Sequence, residues 1–189
     1  MNKQNLAYEL ENLGTAARIN RERVCDLVIE NPILFPQLLT LFFEKDNKLS
    51  IKAAWVLEFV LNKNLDWLTP HLNFFTQNLS TLHLGSAVRP AAKICEFIAK
   101  AYTSKKDSII KSKLTEKQIN LIIETGFDWM ISQHKVAVKA YTMKTLHLFG
   151  NKSDWIHEEL KLIIQQNILT ESPAYKARGK MILALINKK

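Results

Sequence analysis

Two carboxylates set among apolar neighbours are the first residues whose chemistry stands out. Glu58 lies in Ala53-Ala54-Trp55-Val56-Leu57-Glu58-Phe59-Val60, and Glu96 in Ala91-Ala92-Lys93-Ile94-Cys95-Glu96-Phe97-Ile98, 38 residues later. Four of the eight positions are identical and two more pair Val with Ile. A carboxylate in such surroundings has two uses. It can serve as a general acid or base with a raised pKa. It can also pair with a cation and join two helices, because an unpaired buried charge is too costly to keep. Recurrence at the same place in two similar segments favours a ladder, in which each glutamate pairs with a basic residue of the neighbouring segment. Trp55 stands where the second copy has Lys93. Exposed in a basic groove it would stack on a base; buried, it is core, and core is the expectation.

Cations are the second group. Arg89, Lys93 and Lys100 fall on one stripe of one helix. Lys135/Lys139 and Lys176/Lys180 repeat an i, i+4 pair, and Lys52 precedes the first copy of the motif. The chain carries a net charge of +8. Side by side, these residues would make a basic band suited to phosphate backbones or to an acidic protein. The alternative is that the lysines snorkel out of crowded helices and pair with nearby acids. Other chemistry lacks a motif. The five histidines form no HxxxH or HxH pair, so no metal is expected. Phosphate-binding loops, dinucleotide fingerprints and nucleophile elbows are also missing from the sequence. No catalytic residue and no cofactor is assigned, and a non-enzyme is the favoured reading. Cys25 and Cys95 sit within apolar helical patterns and read as reduced core thiols.

The elements that carry these residues read as helices throughout. Only five glycines and five prolines occur, and no β-branched run alternates with period two. Opening helices are expected over 2–13 and 15–30, divided at Gly14 and stopped by Asn31-Pro32. A helix over 32–45 turns at Asp46-Asn47 into the helix of the first motif, at about 49–63. The next, 65–82, contains Pro70, which belongs to its first turn or kinks it. Ser86 is the expected N-cap of the helix carrying the second motif, with Pro90 near its start. Thr115-Glu116-Lys117-Gln118 has the pattern of a capping box, Ser153 is the expected cap of a helix to about 169, and Ser172-Pro173 starts the last. Residues 104–114 interrupt the period with four lysines and one aspartate. They are expected as a surface loop or frayed helix end, with a basic contact arm as the alternative.

Helices beginning near 49, 86, 134 and 172 are the second members of four pairs. Pairs at a period near 40 resemble HEAT-type repeats. The resemblance covers about 32–189, and its residue likeness is confined to the first two units; Ala140-Tyr141-Thr142-Met143 and Ala177-Arg178-Gly179-Lys180 follow the motif loosely. It implies an all-α, right-handed α-solenoid (superhelix) of antiparallel helix pairs, HEAT/armadillo-like. The whole chain, 1–189, would be one helical-repeat domain, with 1–31 as N-terminal capping helices and an insertion at 104–114. In such solenoids the second helices line the concave face. The first helices of the pairs carry a net charge of −5 and the second helices +13. The positive excess therefore belongs to the layer expected inside.

The resulting expectation is a non-enzymatic scaffold whose basic concave face, Lys52, Arg89, Lys93, Lys100, Lys135, Lys139, Lys176 and Lys180, binds an acidic or extended protein partner. The alternative is a nucleic-acid-binding protein. Some HEAT-like proteins, the AlkD-like DNA glycosylases, act on damaged bases, but they need an aspartate in the cleft, and the second helices have none there. Residues 1–6 lack the apolar core and cleavage site of a secretory signal, and no run reaches the ~20 apolar residues of a membrane span. A cytoplasmic protein with no membrane partner, monomeric or weakly homodimeric, is expected.

Overall fold

The computed structural model describes residues 3–44 and 48–188, with side chains from Leu6 onward. The turn expected at Asp46-Asn47, and Lys45 before it, lie outside the described residues. Among the described residues every regular element is a helix. The chain divides into two compact units, Met1–Ile94 and Cys95–Lys189.

The first unit is built around α4 (Lys48–Lys63), which carries the first motif. Helices α1 (Lys3–Glu11), α2 (Arg18–Glu30) and α3 (Phe35–Phe42) all pack on it. Such crowding requires apolar residues on several sides, and Ala53, Ala54, Val56, Leu57, Val60 and Leu61 are all buried. Gly14 joins α1 to α2 with φ +72°, a left-handed conformation that favours glycine. Asn31 ends α2 with extended-side torsions, as a residue before proline should. Pro32–Leu34 then forms a 3₁₀ turn into α3.

Pro70 has a larger effect than a kink. The segment expected as one helix splits into a 3₁₀ stretch Leu65–His71, α5 (Leu72–Asn78) and a second 3₁₀ turn Leu79–Thr81. Proline has no N–H to donate and crowds the preceding turn, so the tighter helix prevails around it. Phe42 of α3 and Phe43 just after it close over Phe75 of α5, with ring centroids 6.4 and 5.8 Å away.

Helix α6 (Gly85–Thr103) runs from the first unit into the second. It starts one residue before the expected Ser86 cap, where the Leu84 carbonyl accepts from both Ala87 and Val88. Pro90 is the sixth residue of the helix, in its second turn.

In the second unit, α9 (Val136–Phe149) packs against α8 (Glu116–Ile131), α10 (Asp154–Asn167) and α11 (Pro173–Ile186). Glycine permits two of the close approaches. A Cβ on Gly126 of α8 would meet Leu146 at 3.2 Å, and one on Gly179 of α11 would meet Ile164 at 2.9 Å. Thr115 and Gln118 form the expected capping box. Ser172 accepts from the Tyr175 amide as the cap of α11. Ser153 occupies its N-cap position but makes no side-chain cap bond.

The insertion is not the loop or frayed end expected of it. Ser108 caps a short helix, α7 (Ile109–Lys113), whose Ile110 is fully buried, and Leu114 follows it into the core. Its lysines are exposed, but its apolar residues anchor it.

Burial also reveals a third copy of the motif. The buried and half-buried positions of 91–98 recur in the same order over Thr142–Phe149. This register lies two residues beyond the Ala140-Tyr141 alignment drawn from the residue types. In it, Lys144 takes the place of Lys93, and His147 that of Glu96.

Candidate binding surface on the second helices

In the first unit, Glu58 of α4 receives Arg89 of α6 end-on, through both terminal nitrogens. Arg89 Nη2 lies 2.5 Å from Glu58 Oε2, and Nη1 lies 3.4 Å from Oε1. The Glu58 side chain is 12% exposed and that of Arg89 30%. This is the cross-helix joint expected of a ladder, with the guanidinium fork matching the carboxylate. Lys52 Nζ donates to the Glu11 carbonyl at 2.7 Å. That oxygen ends α1, where carbonyls without helical partners carry partial negative charge. Lys93 is half-buried and engaged. Trp55 is half-buried, neither sealed in the core nor free in a groove. Lys63 pairs with Asp26 at 2.8 Å, and that hydrogen bond raises its pKa.

In the second unit, Glu96 is 5% exposed and holds Lys100, four residues along its own helix, at 2.5 Å. That ion pair lies within α6. Lys139 is only 8% exposed. Its ammonium lies 2.6 Å from Glu171 Oε1 and over the Tyr175 ring at 5.7 Å. The buried Lys139–Glu171 pair fastens α9 to the approach of α11. Lys135 and Lys180 are exposed and Lys176 half-buried, and none has an ion pair among the described residues.

Two cations that the residue spacing did not single out belong with these. Lys144 of α9 is half-buried, and Arg178 of α11 likewise. Burial lowers the Lys144 pKa, the Lys100 charge lowers it further, Glu96 opposes them, and Arg178 adds to the lowering. The signal for Lys144 was its place in the third motif copy. It was hidden because Ala-Ala became Thr-Met and Glu became His.

Other groups with chemical potential are accounted for by packing. Cys25 and Cys95 are both buried, and burial pushes their thiols up, Cys25 to about 11. His147 and His157 stack with centroids 5.3 Å apart, and His157 Nε2 lies 2.8 Å from the His147 carbonyl. Among the described residues, no three His, Cys, Asp or Glu side chains converge as metal ligands. Asp-Trp occurs three times, at Asp66-Trp67, Asp128-Trp129 and Asp154-Trp155, and the three tryptophans do not share one packing role. Trp129 is buried and Trp67 packs edge-on against Phe35 at 5.8 Å, but Trp155 is 54% exposed. Trp155 borders a cavity of about 220 Å³ with Tyr102, Ile119, Phe149 and Lys152.

An all-helical chain in which one burial pattern returns in α6 and α9 is a helical-repeat protein. It belongs to the HEAT repeat domain family, whose model matches residues 9–186. No curated protein and no solved structure matches it. Among the described residues, no single helix is long and apolar enough to cross a membrane.

Proposed function

We propose that the chain is a non-enzymatic scaffold that binds an acidic, extended protein segment on the basic faces of its second helices. HEAT repeats form scaffolds usable for binding and generally mediate protein interactions. The observation that carries this reading is the unbalanced charge of the second unit. Lys135, Lys144, Lys176, Arg178 and Lys180 stand on or beside its second helices without an ion pair among the described residues. Snorkelling lysines that neutralise local acids would leave no such excess.

The structure redistributes the expected contacts. Arg89 and Lys139 are held by Glu58 and Glu171, so they contribute positioning and stability before any partner arrives. Lys52 is anchored on α1 and Lys93 is already engaged. Lys100 is likewise held by Glu96, so the available charge of the second unit lies with Lys135, Lys144, Lys176, Arg178 and Lys180.

Fluorescence anisotropy with a labelled polyglutamate peptide and with duplex DNA tests the reading. The peptide is expected to bind with micromolar affinity at ~50 mM salt and weaken as salt screens the pairs. DNA that binds more tightly than the peptide, with log K falling steeply against log salt, would replace this reading with nucleic-acid binding.

A further inference from the structure

The cavity beside Trp155 lies wholly within the second unit and encloses about 220 Å³. Its apolar lining comes from Ile119 and Ile123 of α8, Phe149 at the end of α9, and Ile156 of α10. Glu116, Ile119 and Ile123 follow one another at three- and four-residue steps, so one face of α8 presents all three. Tyr102 of α6 and Trp155 of α10 complete the lining with aromatic surface. Neighbouring rings support both of them. Tyr102 lies 5.9 Å from Phe149, and Trp155 lies 5.7 Å from Phe127. Trp155 is nevertheless 54% exposed, so indole surface remains open to a ligand. Drug-sized molecules occupy pockets of ~300–1,000 Å³, and this smaller space suits a single ring.

The two charged residues of the lining are Lys152 and Glu116, of opposite sign. Lys152 Nζ donates to the Tyr102 hydroxyl at 2.8 Å and lies 4.3 Å from the centroid of the same ring. Both contacts are with a neutral side chain, so they place the ammonium and leave its charge uncompensated. Glu116 is exposed in the first turn of α8 and has no ion pair among the described residues. Its carboxylate is not needed as a cap, because Thr115 and Gln118 already form the capping box of that helix. Ser153 lines the cavity as well, and its hydroxyl makes no cap bond to α10. An apolar interior with a few converging polar groups is the usual composition of a small-ligand site.

We infer that this cavity binds a free amino acid with an aromatic side chain. The ring is taken up by the isoleucines and aromatic surfaces, where it gains apolar burial and ring-to-ring contact. Lys152 pairs with the α-carboxylate, helped by the Ser153 hydroxyl, and Glu116 pairs with the α-ammonium. A ligand with one charge would gain one partner and be repelled by the other lining charge. A residue inside a polypeptide carries neither charge and would gain neither partner. A zwitterion engages both. None of the lysines assigned to the acidic segment lines this cavity, so the inference goes beyond the scaffold reading and does not depend on it.

Calorimetric titration of the full chain with ligands that share a phenyl ring tests this. L-Phenylalanine is expected to bind with a dissociation constant of about a millimolar or tighter. Phenylpropionate lacks the ammonium, phenethylamine the carboxylate, and N-acetylphenylalaninamide both charges. Each is expected to bind about tenfold more weakly. Lys152→Met should abolish the preference over phenethylamine and keep that over phenylpropionate, and Glu116→Gln should do the reverse. Each preference is a ratio of two ligands on one variant, so a change in overall stability does not mimic it. Trp155→Ala, at an exposed position, should weaken L-phenylalanine about tenfold. No binding at ~10 mM L-phenylalanine would overturn the site. Equal affinities for all the ligands, or preferences that neither charge substitution changes, would overturn recognition of the zwitterion. N-acetylphenylalaninamide binding more tightly than L-phenylalanine would overturn it too, and would give the cavity to an aromatic side chain of a polypeptide. The polyglutamate titration is read separately, so failure of either reading leaves the other standing.

Discussion

Replacing Arg89 with methionine tests whether the motif glutamate is a joint. The substitution keeps the apolar stem and removes the guanidinium that lies 2.5 Å from Glu58 Oε2. With charge centres roughly 4 Å apart and an effective dielectric near 20, the attraction is about 4 kcal/mol. Arg89 is 30% exposed, so water screens much of that, and fully exposed pairs are worth only ~0.2–1 kcal/mol. A coupling of about 1.5 kcal/mol lies between these limits. Arg89→Met alone is expected to cost about 2–3 kcal/mol, because it leaves Glu58 without its partner at 12% exposure. Adding Glu58→Gln to it should recover part of the loss, since no lone charge remains. The assay is a double-mutant cycle by urea unfolding. It should be followed through Trp55 and Trp67 of the first unit in a background with Trp129 and Trp155 changed to phenylalanine. A coupling below ~0.5 kcal/mol, the usual limit of additivity, would refute the joint.

Gly179→Ala should destabilise by about 1–3 kcal/mol, since its Cβ would lie 2.9 Å from Ile164; recovery with Ile164→Val, measured by thermal unfolding, would confirm the contact. Ile110→Ala should cost about 2–4 kcal/mol, whereas Lys113→Ala stays within ~0.5; equal effects would return residues 104–114 to the status of a loop. The Tyr175 hydroxyl is pushed up to about 12, chiefly by burial and next by the Glu171 charge. The unfolded chain ionises near its ordinary value of 10.0, so this contribution to stability is intact below that pH and lost as pH rises toward 12. Tyr175→Phe should remove that loss, and an unchanged alkaline slope in urea titrations would contradict the burial argument.

Much of the fold was legible because local chemistry announces helix ends. Ser172-Pro173 and the Thr115–Gln118 box each fix a start by hydrogen bonds that short-range sequence can specify. Pro70 announced trouble but not its form, since the split into 3₁₀ and α segments depends on what packs around it. In the insertion, the visible lysines outweighed Ile110 of α7 and Leu114 after it, which decide its burial. The third motif copy was missed for the opposite reason. Ala140 looked like the motif's alanines, yet the burial pattern starts at Thr142, and pattern rather than residue identity is what a core preserves.

The basic surface was legible in total charge and not in detail. Lys135 and Lys139 have helical spacing, but Lys135 sits at the N-cap of α9, outside the helix, with φ −59° and ψ 147°. Spacing carries no stripe across such a boundary. Lys139 then turns inward to Glu171, a partner 32 residues away that no local pattern names.

The motif copies show how a repeat can acquire a binding site without disturbing its core. The same position holds Glu58, Glu96 and His147, and each meets a different partner. Arg89 neutralises Glu58 with a fork, and His147 stacks on the His157 ring. Glu96 has Lys100 on its own helix, while Lys144 and Arg178 remain in electrostatic reach of the same site. The buried positions beneath all three copies are unchanged in pattern, so packing did not have to be redesigned for charge to accumulate. The same logic makes Glu96→Gln informative. It should strengthen polyglutamate binding by removing the competing anion, and weakened binding would mean that Glu96 orients Lys100 more than it repels the ligand.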